Sequence, residues 1–328
     1  MAQLDIATLR QNPGIMVSGL ARVCKLEQKI AKNDSHYLLI KLANITGSVP
    51  ALCWPDRYQG KRDLKVNDIV EVSGRTTLLP DNQTIAIRLR DAEQITSYAD
   101  NPVTLLPLKE EYNLTDVQKF IAMVDNLEIS QLKDLLYRVF ADEDLATTYL
   151  TGKSSRGYHH NEPGGLLRHS LQVAEIVARY RGVVQDYQLE IGIVAALLHD
   201  IAKVRMWYNR PATEVSAPIL SHDLMTTEMI ATPLKALEAE WKDGAALLRD
   251  CLNYKVCQKT YTHKQLQVPV IINIVWSADQ ASAGSDGEKK VLNSRKVWKK
   301  HYKQWRQNYY IYDPPPIAQT TIKKLVQP

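Results

Sequence analysis

The run "AALLHDIAKV" (Ala195 to Val204) sets His199 and Asp200 side by side among apolar residues. An imidazole and a carboxylate buried together are costly unless each has a partner. Two arrangements satisfy them: a hydrogen-bonded pair inside a helical core, or a shared metal ion. Two more residues argue for the ion. His169 falls in the first turns of the helix expected from "GGLLRHSLQVAEIVARY", and Asp279 ends the strongly apolar segment "VPVIINIVWSAD". Together His169, His199, Asp200 and Asp279 would form a mixed nitrogen and oxygen ligand set with positions left open for water and substrate. Such a set suits manganese, iron, zinc, nickel or magnesium without choosing among them. A plain histidine–aspartate bond would leave His169 and Asp279 without a role.

The elements that must position these residues differ between the two halves of the chain. From Gly14 to about Ile95 the pattern is strand-like: "IMVSGLARVCKLEQKI", then two strands around the turn Asn44-Ile45-Thr46-Gly47, then two more across Pro80-Asp81-Asn82. Five short strands in about 85 residues predict a small barrel, and their order resembles an OB-fold. The two prolines and weak periodicity of "SYADNPVTLLPLKEEYN" predict a linker, after which Val117, Phe120, Ile121 and Val124 recur at helical spacing. The expected fold is therefore two-domain, an N-terminal all-β OB-like barrel followed by an all-α domain. The expected limits are 1–96 for the barrel, 97–114 for the linker and 115–328 for the helical domain.

The C-terminal stretch "EKKVLNSRKVWKKHYKQWRQNYY" interleaves Lys and Arg with aromatic residues. Trp298, Tyr302, Trp305 and Tyr309 step by four, three and four, which predicts a helix with an aromatic stripe packed on the body. The same mixture suits phosphate contact with base stacking.

Bulk properties narrow the class. A net charge of +5, from 41 basic and 36 acidic residues, permits a nucleic-acid partner without demanding one. No run approaches the roughly 18 apolar residues of a membrane span, and the first residues lack a signal-peptide pattern, so no membrane partner and a cytoplasmic location are expected. Cys24, Cys53, Cys251 and Cys257 form no CxxC pair and read as small buried hydrophobes in a reducing compartment. On the barrel, Tyr37, Lys41, Trp54, Arg57, Tyr58, Arg75, Arg88 and Arg90 are the aromatic and basic candidates for holding single-stranded RNA or DNA.

The order His … His-Asp … Asp, carried by "GGLLRHS", "AALLHDIAKV" and "WSADQ", resembles the HD superfamily of metal-dependent phosphohydrolases, with Ala202 where that family commonly has glycine. Barrel, linker, helical lead-in, "YHHNEPGGLLRHS" and HD segment together are similar to the YhaM-type 3′-5′ exoribonucleases over nearly the whole chain. The resemblance implies a metal-dependent 3′-5′ exonuclease of single-stranded RNA or DNA, with manganese as the first candidate ion. In this reading Asp200 also orients the attacking water, and Lys203 contacts phosphate, with Arg168, Arg205 and Lys255 as weaker contacts. His159 and His160 either protonate the leaving group or orient substrate, or only cap their loop. His222 matches a midway histidine of two-metal HD enzymes, but the His-His pair of those enzymes falls on Lys255-Val256, and a protonated lysine cannot ligate. His263 reads as a surface residue. Three alternatives remain: a non-catalytic strand-binding protein with a degenerate HD site, an HD nucleotide phosphohydrolase, and a relative of the mobilisation relaxases. A homo-oligomer is left open.

Overall fold

The computed structural model describes residues 3–9, 12–31, 33–54, 64–81, 83–94, 101–155, 160–208, 222–264, 266–293, 302–304 and 307–309. A short helix, α1 (Ile6–Leu9), precedes five strands: β1 (Met16–Ile30), β2 (His36–Asn44), β3 (Gly47–Cys53), β4 (Ile69–Leu78) and β5 (Ile85–Gln94). They close into a barrel in the order β1-β2-β3-β5-β4, the connectivity of an OB-type barrel. Closure depends on β1, which at 15 residues is longer than the short strand its sequence suggests. Its first half pairs with β4 and its second half with β2, with a bulge between Val23 and Lys25 where the strand turns the corner. Alternation along each strand sends Val23, Ile40, Leu42, Val49, Ala51, Val72, Ile87 and Leu89 into one apolar core.

The segment expected to be a linker is packed where it is described. Pro102–Leu105 forms a 3-10 turn capped by the Asn101 side chain, and Val103, Leu105, Leu106 and Tyr112 are buried. Ile45 N–H donates to the Thr104 carbonyl at 3.1 Å, fastening the β2–β3 turn to this segment. Arg22, nearly buried on β1, donates to the Leu105 carbonyl and pairs with Glu143 at 3.0 Å.

Helices follow: α2 (Leu114–Asp125), α3 (Ser130–Phe140), α4 (Glu143–Thr151), α5 (Gly165–Ala178), α6 (Asp186–Leu198), α7 (Lys203–Tyr208), α8 (His222–Met229), α9 (Ala231–Glu240), α10 (Lys242–Leu252), α11 (Tyr254–His263) and α12 (Val270–Asn293). The centre is α6, whose residues from Leu189 to Leu198 are all buried, so it lacks a polar face and is wrapped on every side. Glu190 on this helix caps α3 from a distance, its carboxylate accepting from the N–H groups of Glu128 and Ile129. A Cβ on Gly192 would come within 2.4 Å of Ile271 Cδ1, and this missing methyl lets α12 lie close against α6.

Residues 302–309 correct an expectation. Tyr302–Gln304 and Gln307–Tyr309 are two antiparallel strands, β6 and β7, rather than turns of a helix. The spacing of seven between Tyr302 and Tyr309 also suits an antiparallel pairing, in which the two residues stand opposite each other. Trp298, Trp305 and Tyr310 lie outside the described residues. Cys24, Cys53, Cys251 and Cys257 form no disulfide. Among the described residues, no helix is long and apolar enough to cross a membrane.

Candidate metal centre

His199 and Asp200 do not lie within a continuous helix. The helix α6 ends at Leu198, His199 is its C-cap, and Asp200 stands in the turn before α7. The last carbonyls of a helix have no partner within it, and burial here makes each of them costly unless met. Each is met. The carbonyl of Ala195 accepts from His199 N–H, that of Ala196 from His199 Nδ1, that of Leu197 from the Tyr149 hydroxyl at 2.6 Å, and that of Leu198 from Ile201 N–H. The turn then tightens to i→i+3 bonds through Lys203 and Val204, while Thr226 on α8 holds the His199 carbonyl.

His169 is fully buried on the second turn of α5. That helix starts at Gly164, with φ +74°, and Gly165, where a Cβ would lie 2.1 Å from the His160 carbonyl oxygen. The double glycine therefore allows the loop bearing His160 to fold directly onto the helix start. Asp279 comes from α12. Ser282 and Asp286 follow it by three and seven residues, on nearly the same helix face.

The four side chains converge. His169 Nε2 lies 3.3 Å from His199 Nε2, 3.0 Å from Asp279 Oδ1 and 3.5 Å from Asp200 Oδ2. His199 Nε2 lies 3.4 Å from Asp200 Oδ2 and 3.6 Å from Asp279 Oδ1. Donors bound about 2.1 Å from one ion stand roughly 3.0 to 3.4 Å apart, depending on coordination geometry. Three of the five separations fall in that range and the other two, at 3.5 and 3.6 Å, lie just above it; His169, His199 and Asp200 form a group that could hold a metal ion. Asp279 joins it through both histidines. The mouth of the site is on the side of His199 and Asp279, whose side chains are 14% and 30% exposed, while His169 and Asp200 form the floor.

Hydrogen bonds behind the rings fix how they present. Ser282 Oγ donates to Gln172 Oε1 and stands 3.0 Å from His169 Nδ1, which leaves the hydroxyl a lone pair to accept from Nδ1–H. His199 Nδ1 bonds a carbonyl and so must carry hydrogen. In the neutral rings both Nε2 atoms thus turn bare lone pairs toward one another, beside two carboxylates. That donor set suits a divalent cation. Without a cation the carboxylates favour a proton instead. Burial opposes a charge on His199, but Asp200 and Asp279 push it up to about 10. Burial likewise disfavours charge on Asp200 and Asp279, yet Lys203 and the histidines hold Asp200, and His169 and His199 hold Asp279, well below the usual carboxylate range.

Lys203, expected at phosphate, forms an ion pair with Asp200 Oδ2 and lies 3.4 Å from Ser154 Oγ. Arg168 is held by Asp116 and Glu162, and Arg205 is exposed. His160 is nearly buried, its ring 5.4 Å from that of His169, and its backbone N–H donates to Asp286. His159 lies outside the described residues. His222 opens α8, and Lys255 and Val256 lie in α11, with all three side chains outside the described set. His263 is exposed.

On the barrel, the Tyr37 and Trp54 rings stack at 4.7 Å and 24°. Lys41 is exposed on the same face of β2 as Tyr37. Arg75 and Arg88 are exposed and directly opposite across β4 and β5, with Arg75 Nε donating to the Gly14 carbonyl. Arg90 is exposed, and Arg57 and Tyr58 lie outside the described residues. Sequence reasoning missed Ser282, Gln172, Tyr149 and Thr226. The helical offset from Asp279 could have found Ser282, but Tyr149 and Thr226 leave no local signal.

No family model matches the chain, and no curated protein matches it either. Among solved structures, part of the chain is similar to the second OB-fold domain of replication protein A from Methanococcus maripaludis. That match has 20% identity over 27% of this chain and 91% of the other, at a TM-score of 0.21.

Proposed function

We propose that the protein is a metal-dependent phosphodiesterase of single-stranded nucleic acid, acting as a 3′-5′ exonuclease, with the strand held on the barrel and cut at the His169–His199–Asp200–Asp279 centre. The observation carrying this reading is the set of donor separations between 3.0 and 3.6 Å, with both imidazoles held so that Nε2 faces the shared point. The order of these residues supports a phosphohydrolase through its resemblance to the HD superfamily, and polarity and manganese preference rest on the resemblance to YhaM-type exoribonucleases.

When bound, a divalent cation supplies polarisation of a phosphoryl oxygen and a nucleophile competent at neutral pH. The protein's own part is positioning. Ser282 and Ala196 hold the rings, and Lys203 brings a positive charge beside Asp200 where negative charge gathers on a phosphate. The Tyr37–Trp54 stack offers a surface for bases. The Arg75–Arg88 pair, like charges set opposite at a cost of up to about 1 kcal/mol, is relieved by a phosphate between them.

The test is elemental analysis of the purified protein joined to an assay on 5′-labelled single-stranded RNA and DNA. Manganese-stimulated shortening, lost in His199→Ala and Asp200→Ala, is expected. Intact oligonucleotides across several divalent metals would overturn the proposal. One observation favours a second reading, a non-hydrolytic strand-binding protein: the Lys203 ammonium already neutralises Asp200. That reading expects strand binding indifferent to a chelator, with no cleavage.

A further inference from the structure

We propose that Tyr254 and Trp276 form a nucleobase-binding subsite at the mouth of the metal centre, receiving the base of the nucleotide being released. The proposal rests on the hydrolase reading above. The two rings stack nearly parallel, with centroids 4.8 Å apart and planes 16° apart. Trp276 nevertheless stays 39% exposed, although an indole is among the side chains with most to gain from burial.

Its position supplies the ligand. Trp276 precedes Asp279 by three residues on α12, which makes their Cβ atoms neighbours about 5–6 Å apart. At 3.6 residues per turn it lies about 60° round the helix from Asp279. The rotation is away from Ile271, Val275, Ala278 and Ser282, which pack into the body. Asp279 is itself partly exposed on this side. A phosphodiester at the metal centre therefore has an aromatic surface next to it on the open side of the site. Tyr254 backs the indole and restricts its rotation, so little freedom is lost when a base settles on it.

The chemistry that recognises such a platform is the flat π-face every nucleobase possesses. Stacking of this kind does not discriminate among bases, so the subsite grips the terminal nucleotide whatever its identity. It also separates polynucleotides from phosphodiesters that carry no base. A purely structural stack, holding α11 to α12, would show no such preference.

The experiment compares the full-length parent, Trp276→Ala and Trp276→Phe, each with manganese, on three substrates. These are a single-stranded oligonucleotide, the same strand lacking its 3′-terminal base, and a wholly abasic strand of the same length, which offers no aromatic ring. Trp276→Ala is expected to lower kcat/KM on the intact strand roughly five- to a hundredfold, chiefly through KM. Removing the terminal base should cost the parent a similar factor, and the two losses should not add. Trp276→Phe, which keeps a ring, should retain most of the activity. Equal losses on all three substrates, or no loss on any, would overturn the subsite while leaving the hydrolase reading intact. A parent inactive on every substrate would overturn both.

Discussion

Ser282 Oγ stands 3.0 Å from His169 Nδ1 and 3.0 Å from Gln172 Oε1, so a hydroxyl on α12 sets the tautomer of a histidine on α5. Removing such a partner typically costs ten- to a hundredfold in metal affinity. Ser282→Ala is expected to weaken manganese binding by that factor with its fold retained, as read by calorimetric titration and circular dichroism. Undiminished affinity would show that the ring orientation needs no help from Ser282.

The protonation of His199 gives a pH dependence of definite sign. In chelator-treated protein, burial works against its charge, but Asp200 and Asp279 raise it from 6.5 to about 10. A histidine raised on folding contributes stability that is complete below pH 6.5 and lost as the pH rises through 10. A cation taking its place must expel that proton. Manganese affinity should therefore rise between pH 7 and 9, with proton release seen as a dependence of the calorimetric heat on buffer ionisation. A flat profile would contradict the proton–metal exchange.

Tyr149 is fully buried against Phe120 and Phe140, and its hydroxyl donates to the Leu197 carbonyl, two residues before the C-cap His199. Tyr149→Phe keeps the ring but leaves that carbonyl unmet, a loss of about 1–3 kcal/mol. The urea midpoint should fall with the slope unchanged. An unmoved midpoint would mean that another donor reaches the carbonyl.

On the barrel, Trp54→Ala should weaken single-strand binding by about 1–3 kcal/mol through loss of a stacking face. Arg88→Gln should act differently, lowering the slope of log affinity against log salt by about one. Fluorescence anisotropy across a salt series separates the two effects. If neither variant binds more weakly, the strand lies elsewhere.

Much of this arrangement was legible in the residues because it follows from short-range periodicity. Alternation at Ile40 and Leu42 or Val70 and Val72 reports a barrel face directly. Asn44, which accepts from Thr46 N–H within its turn, marks the hairpin through local chemistry. The ligand types were legible too, since an apolar run does not carry His199 and Asp200 without compensation. Their placement at a helix end was not, because the end is imposed by remote partners, Tyr149 and Thr226, that meet its otherwise unbonded carbonyls. The strands Tyr302–Gln304 and Gln307–Tyr309 escaped because seven-residue spacing fits both two helical turns and an antiparallel pair.

Gly192 touches none of the four donors, yet it governs how near the helix bearing Asp279 can come to the one capped by His199. For the proposed metal site its consequence is a tuning point for ionic radius. A single methyl at that position, crowding Ile271, would widen the cage from behind and shift its preference toward larger cations, with every coordinating atom left chemically intact.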